Sequence, residues 1–166
     1  GIFERRMAFR ENAGEEATGP SGHDVVILGL GRYGRRIGQG LQARGLSVLG
    51  VDFDPEALRS WRALGMAATF GDATDPEFVA HLPLREVKAV ISAVPPGRGG
   101  LSEADTSPAL LHALRAAGYE GEVAVTVNRR EEVDQVRDLG ATLVLSPFED
   151  AAERAVEMIA GRCLKG

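Results

Sequence analysis

Cysteine is all but missing from this sequence: Cys163 is the only one in 166 residues. A lone thiol excludes an intrachain disulfide and a cysteine-based zinc cluster, and it suits a reducing cytosol. Missing too is any uncharged apolar stretch approaching about 18 residues, so this chain is not expected to cross a membrane itself. No secretory leader pattern opens it. Basic charge is not in excess either: 19 Lys and Arg stand against 24 Asp and Glu, a net charge of −5. The footprint of a nucleic-acid binder is therefore absent. Apolar residues at 44% and charged residues at 26% leave a globular chain with an ordinary core, of a length that fits one domain.

Glycine is what the sequence has in excess. There are 21 glycines, where average usage would supply roughly twelve. They follow no G-X-Y period, so they serve turns and close backbone approaches. Residues 1–22 differ from the rest. Ile2, Phe3, Met7 and Phe9 interleave with Arg5, Arg6 and Arg10, and a linker-like stretch follows as far as Gly22. This segment reads as a tether entering a folded domain near His23, or equally as a frayed terminus. A chain that opens at Gly1 also reads as a piece of something longer.

From Asp24 onward, short β-branched runs alternate with helical stretches. Strands are expected at Val25–Leu28, Leu46–Val51, Ala67–Phe70, Ala89–Val94, Val123–Val127 and Thr142–Leu145. Between them, Ile37 with Leu41, then Leu58 with Trp61 and Leu64, mark helices stopped by Gly45 and Gly65. Asp54-Pro55 and Asp75-Pro76 read as a cap followed by a first-turn proline. Leu110, Leu111 and Leu114 mark a helix ending at Gly118, and Val133, Val136 and Leu139 one stopped by Gly140. Ser146-Pro147 opens a last helix through Ala152, Ala155, Val156 and Ile159, expected to close at Gly161. This βα rhythm specifies a parallel sheet covered on both faces.

The first expected strand runs straight into Gly29-Leu30-Gly31-Arg32-Tyr33-Gly34, a G-x-G-x-x-G standing between a strand and a helix. The first glycine permits a tight turn, the second lets a phosphate reach the backbone, and the third allows helix and strand to pack closely. The helix then offers its open N–H groups to the anion. Asp52, eighteen residues beyond Gly34 and at the end of the second strand, can accept both ribose hydroxyls and repels a 2′-phosphate, which disfavours NADP. On this reading Asp52→Ala blunts nucleotide binding and leaves the ligand-free chain nearly as stable. Asp54, before its proline, reads as a helix cap. From Asp24 to Gly45 four arginines (Arg32, Arg35, Arg36, Arg44) face one acid, and from Glu131 to Glu157 eight acids face two arginines. Basic groups thus gather beside the expected phosphate position. The fold class is a Rossmann-type, doubly wound, six-stranded parallel α/β sheet with a C-terminal helix.

Catalysis finds little support. His23, His81 and His112 fall at positions suited to a surface or core edge. At the spacing of a Tyr-x-x-x-Lys pair, Tyr33 and Tyr119 are followed by Ile37 and Val123, and no G-x-x-x-x-G-K-[ST] loop occurs. Binding without bond chemistry is the better reading. The alternative is an NAD-binding fragment of a small oxidoreductase or a soluble redox sensor.

The runs Val-Val-Ile-Leu-Gly-Leu-Gly-Arg-Tyr-Gly, Val-Asp-Phe-Asp-Pro and Phe-Gly-Asp-Ala-Thr, with Val90-Ile91-Ser92-Ala93 and Leu139-Gly140-Ala141, resemble the TrkA-N, or regulator-of-potassium-conductance, nucleotide-binding domain. The likeness is in particular to the cytosolic C-terminal domain of cation–proton antiporters and glutathione-gated potassium efflux systems. It implies a ligand-sensing domain that dimerises and regulates ion flux, joined to an upstream or separate membrane transport domain at the inner face of the cell membrane. By that resemblance Gly29, Gly31, Gly34 and Arg32 meet phosphate and Asp52 takes the ribose, with Tyr33 and Phe53 also among the cofactor-binding residues. Asp72 and Ala73 border the adenine, and Ala93 and Val94 wall the pocket. The ligand order it implies is AMP, then NAD or NADH, then ADP or ATP. Residues 23–146 are then the nucleotide-binding domain, and 147–166 a helix that crosses toward a second subunit or packs on its own sheet. The Pro- and Gly-rich loop from Pro95 toward Ser107 departs from the family pattern.

Overall fold

A computed structural model of the chain describes residues 22–94 and 106–165. The tether and most of the Pro/Gly-rich loop lie outside them. Strands and helices alternate without exception among the described residues: β1 (Val25–Leu28), α1 (Arg32–Ala43), β2 (Val48–Asp52), α2 (Pro55–Arg62), β3 (Ala67–Phe70), α3 (Pro76–Ala80), β4 (Ala89–Ser92), α4 (Thr106–Ala116), β5 (Glu122–Thr126), α5 (Glu132–Asp138), β6 (Leu143–Leu145) and α6 (Pro147–Cys163). The sheet order is β3-β2-β1-β4-β5-β6, and every pairing is parallel.

Each strand of a parallel sheet is apolar on both faces because helices cover both. In β1, Val25 and Ile27 face one apolar cluster with Leu58 and Trp61, while Val26 and Leu28 face another with Val79, Leu111 and Leu114. All four are buried. The edge strands are different: β3 and β6 keep partly exposed residues, as lateral strands do.

The helix boundaries follow local chemistry. Asp54 and Asp75 each accept a bond at 2.9 Å from the amide two residues on, Glu56 and Glu77, and each is followed by proline in the first turn. Gly45, Gly65, Gly118 and Gly140 take φ of +85°, +81°, +80° and +110°, the left-handed stop that glycine adopts without strain. Arg115 ties two such ends together, its guanidinium donating to the Tyr119 carbonyl at 2.7 Å and to that of Gly140 at 3.1 Å. At the same, N-terminal edge of the sheet, the Ser47 amide and then the Lys88 ammonium hold the Asp24 carboxyl below the usual carboxylate range.

Trp61 is the largest fully buried side chain. Its ring fills a slot that only two glycines leave open: a Cβ at Gly38 would overlap the ring, and one at Gly50 would lie 2.6 Å from it. The indole N–H donates to the Ala67 carbonyl at 2.8 Å, so its polar atom is satisfied and α2 is joined to β3.

α6 runs two residues beyond the expected stop at Gly161 and has no buried residue. It does not pack on its own sheet. Phe148, Val156 and Ile159 are 75%, 65% and 62% exposed, along one side of a helix about 25 Å long.

Candidate functional site

β1 lies between β2 and β4, so the crossovers leave it in opposite directions and the C-terminal ends of these strands part. Such a reversal opens a crevice in doubly wound sheets. Here it is a cleft of about 610 Å³, within the usual range of small-molecule sites.

Two of the three loop glycines have a structural reason to be glycine, and the third has none. Gly29 sits at φ +91°, and a Cβ there would come within 2.9 Å of Val94. Gly34 is buried in α1, where a Cβ would overlap the Gly29 carbonyl oxygen and approach the Ala93 methyl at 3.1 Å. Gly31 differs. It has an ordinary φ of −67°, and a Cβ built on it meets nothing within 4 Å. The protein itself has no need of glycine at 31.

α1 begins at Gly31 with no side-chain cap and no acid in its first turn, in contrast to α2 and α3. The amides of its first turn therefore point out of the helix without an intrahelical acceptor, and its positive end is not neutralised from within. Arg32 stands exposed at that end. Arg44, which the sequence grouped with it, lies at the far end of α1 and donates to the Gly40 carbonyl. Linear charge counting cannot separate the two ends of one helix.

Asp52 is half-buried at the tip of β2. Its Oδ2 accepts from the Leu30 amide at 2.8 Å and its Oδ1 from the Asp54 amide at 2.9 Å. Phe53, 64% exposed, forms the rim beside it. Asp72 closes a turn through Oδ1, which accepts from the Thr74 amide at 2.8 Å and hydroxyl at 2.7 Å. Tyr33 is half-buried, and burial together with the Asp150 carboxylate in the first turn of α6 pushes its phenol up.

Of the residues singled out from sequence, Gly29, Gly31, Arg32, Tyr33, Asp52, Phe53, Asp72, Ala73, Ala93 and Val94 all line this one cleft. Gly34 does not; it lies behind the loop as the contact between helix and strand. Ala93 serves both ways, lining the cleft and packing against the α1 side of the sheet. The sequence reading missed Val51, Gly71, Thr74, Ser92 and Leu110. Gly71 carried a signal, standing just before Asp72 in the matched motif, and a Cβ there would overlap the Phe78 ring. Leu110 carried none, because it reaches the cleft from α4. None of the three histidines lines the cleft, and no cluster of metal-ligating side chains occurs among the described residues.

A glycine-turned first crossover, an uncapped helix N-terminus and a carboxylate at the tip of the next strand define an α/β domain of the Rossmann type. Within that class the chain belongs to the TrkA-N domain family, whose pattern it matches over residues 25–147. It is 26% identical over 138 residues to the Ktr system potassium uptake protein C of Bacillus subtilis, which covers 82% of this chain and 58% of that protein. It is 31% identical over 70 residues to a glutathione-regulated potassium-efflux system protein KefC of Escherichia fergusonii, covering 42% of this chain and 11% of that one. The chain thus spans only part of these relatives. Among solved structures, the GsuK channel bound to NAD superposes with a TM-score of 0.65 at 17% identity, over 86% of this chain and 24% of the channel, and the same channel has been solved with ADP. At that identity the likeness concerns the fold. No helix among the described residues is long and apolar enough to cross a membrane.

Proposed function

We propose that this chain is a regulatory, non-catalytic domain that binds an adenine nucleotide in the cleft and thereby controls potassium or cation–proton transport by a membrane domain. The observation that carries the reading is Gly31: a position whose bare backbone the fold does not require, at the open end of α1, leaves room that a phosphate would use. Asp52 takes the ribose hydroxyls, and Asp72 with Ala73 borders the base.

AMP is the first ligand in our reading. Among the described residues the cleft is lined from β1 to β4 and by Leu110, with nothing from β5 or β6, an extent that suits a mononucleotide. NAD or NADH is the second, favoured by the bound state of the GsuK neighbour, and ADP or ATP the third. The exposed apolar side of α6 seats on a second copy of the chain to form a homodimer. With the Asp150 carboxylate of α6 acting on the phenol of Tyr33 in the glycine loop, the occupied and empty clefts can favour different arrangements of that dimer. Such control needs unequal affinity for the two arrangements. Residues 1–22 then act as the tether to the transport domain at the inner face of the membrane.

A thermal-shift panel of AMP, ADP, ATP, NAD, NADH and NADPH tests this. A ligand at 100 times its dissociation constant should stabilise by about 2.7 kcal/mol, raising the melting temperature by roughly 5–10 °C. AMP should give the largest shift and NADPH none. Light scattering on the same samples should report a dimer. A flat panel, or turnover of any dinucleotide by the chain, defeats the reading.

A further inference from the structure

Asp52 is occupied before any ligand arrives. Each oxygen of its carboxylate accepts one backbone N–H, that of Leu30 at 2.8 Å and that of Asp54 at 2.9 Å. Leu30 lies between Gly29 and Gly31, the two residues of the loop least restrained by side chains of their own. Its side chain is buried against Gly50 and Trp61's cluster. The peptide at the centre of the loop is therefore fixed at two points, by the packing of that side chain and by a charge-assisted bond to the carboxylate.

We infer that Asp52 is a positioning residue for the glycine loop as well as a contact for ribose. One side chain holds the loop ahead of α1 and the segment that opens α2 in the arrangement an anionic ligand meets. The ligand arm of this inference rests on the nucleotide reading above; the loop arm does not. It also revises the expectation that Asp52→Ala leaves the ligand-free chain nearly unchanged, since both amides would lose their acceptor.

Asp52→Asn is the informative variant. It keeps the volume and one acceptor oxygen but turns an NH₂ toward the second amide, donor against donor. In the ligand-free protein, hydrogen exchange followed by NMR should show faster exchange at the Leu30 or the Asp54 amide, with Val26, Ile27 and Leu28 in β1 still protected. Asp52→Ala should release both. Unchanged protection at both amides in both variants overturns the inference, whatever the ligand is.

The second arm uses AMP and 2′,3′-dideoxy-AMP, which has no ribose hydroxyl to offer Asp52. If Asp52 positions the loop, Asp52→Asn weakens the dideoxy ligand too, by about tenfold for one charge-assisted bond. Removing a negative charge beside a phosphate would by itself tighten that ligand, so weakening has the sign that only a displaced loop gives. Loss of AMP binding with dideoxy-AMP binding kept or improved reduces Asp52 to a ribose contact and overturns the inference. Should the parent protein bind neither nucleotide, AMP as the ligand fails, and amide exchange alone decides the role of Asp52.

Discussion

Gly31→Ala should weaken nucleotide binding strongly and spare the fold, and Gly34→Ala should do the reverse of sparing it. At position 31 the backbone is already in a region open to any residue, and the added methyl meets nothing within 4 Å. Alanine is a poorer helix cap than glycine, so the loss is about 1 kcal/mol, or about 2–4 °C in melting temperature. In the proposed complex the methyl stands where the phosphate would approach the amides of α1, and an affinity loss of about a hundredfold or more is expected. At position 34 the methyl would overlap the Gly29 carbonyl oxygen, and no side-chain rotation relieves a clash with backbone. α1 must lift from β1, with a loss of about 3 kcal/mol or more. Thermal melts and nucleotide titrations of the two variants, run side by side, check both halves. Wild-type affinity in Gly31→Ala would remove the observation on which the function rests.

Trp61→Ala should be the most destabilising truncation in the chain. Removing a fully buried aromatic side chain costs about 3–5 kcal/mol, a large part of the roughly 5–15 kcal/mol that holds a domain together. Trp61 fills the slot between Gly38 of α1 and Gly50 of β2, and its indole satisfies the Ala67 carbonyl at the edge strand. Its loss opens a cavity between three elements and leaves that carbonyl without its donor. The melting temperature should fall by roughly 6–20 °C. Urea unfolding with an unchanged slope and a lower midpoint would confirm a loss of packing. A fall of less than about 1 kcal/mol would mean that the slot collapses around the smaller residue.

Much of this architecture is written locally. The run Val25–Leu28, the Asp-Pro pairs at 54 and 75, and the glycines at 45, 65, 118 and 140 each act within one turn of chain, and each does what its neighbours dictate. The glycine loop and Asp52 were legible for the same reason: a glycine-rich first turn and a strand-end acid are local patterns placed by the βα order. What the sequence concealed is long-range. Nothing near Gly50 announces that it makes room for a ring 11 positions later, and nothing near Asp52 announces that its oxygens reach the amide of Leu30. Leu110 joins the cleft only because α4 folds beneath it. Periodicity placed the apolar residues of α6 on one side but could not say what that side faces, since a stripe reads the same against a sheet as against water. Gly34 belonged to the motif by spacing, yet spacing cannot tell a glycine that admits a ligand from one that admits a neighbouring strand.

The exposure of α6 bears on its own persistence. A segment of 17 residues is close to the length at which a helix without tertiary contacts is marginal in water. In the dimer proposed above, its order would be supplied by the partner that covers it, and coil–helix exchange along its distal turns would become part of the association equilibrium. Far-ultraviolet ellipticity would grow with protein concentration, and the free energy of docking would be smaller than the covered area suggests, because ordering the segment is subtracted from it.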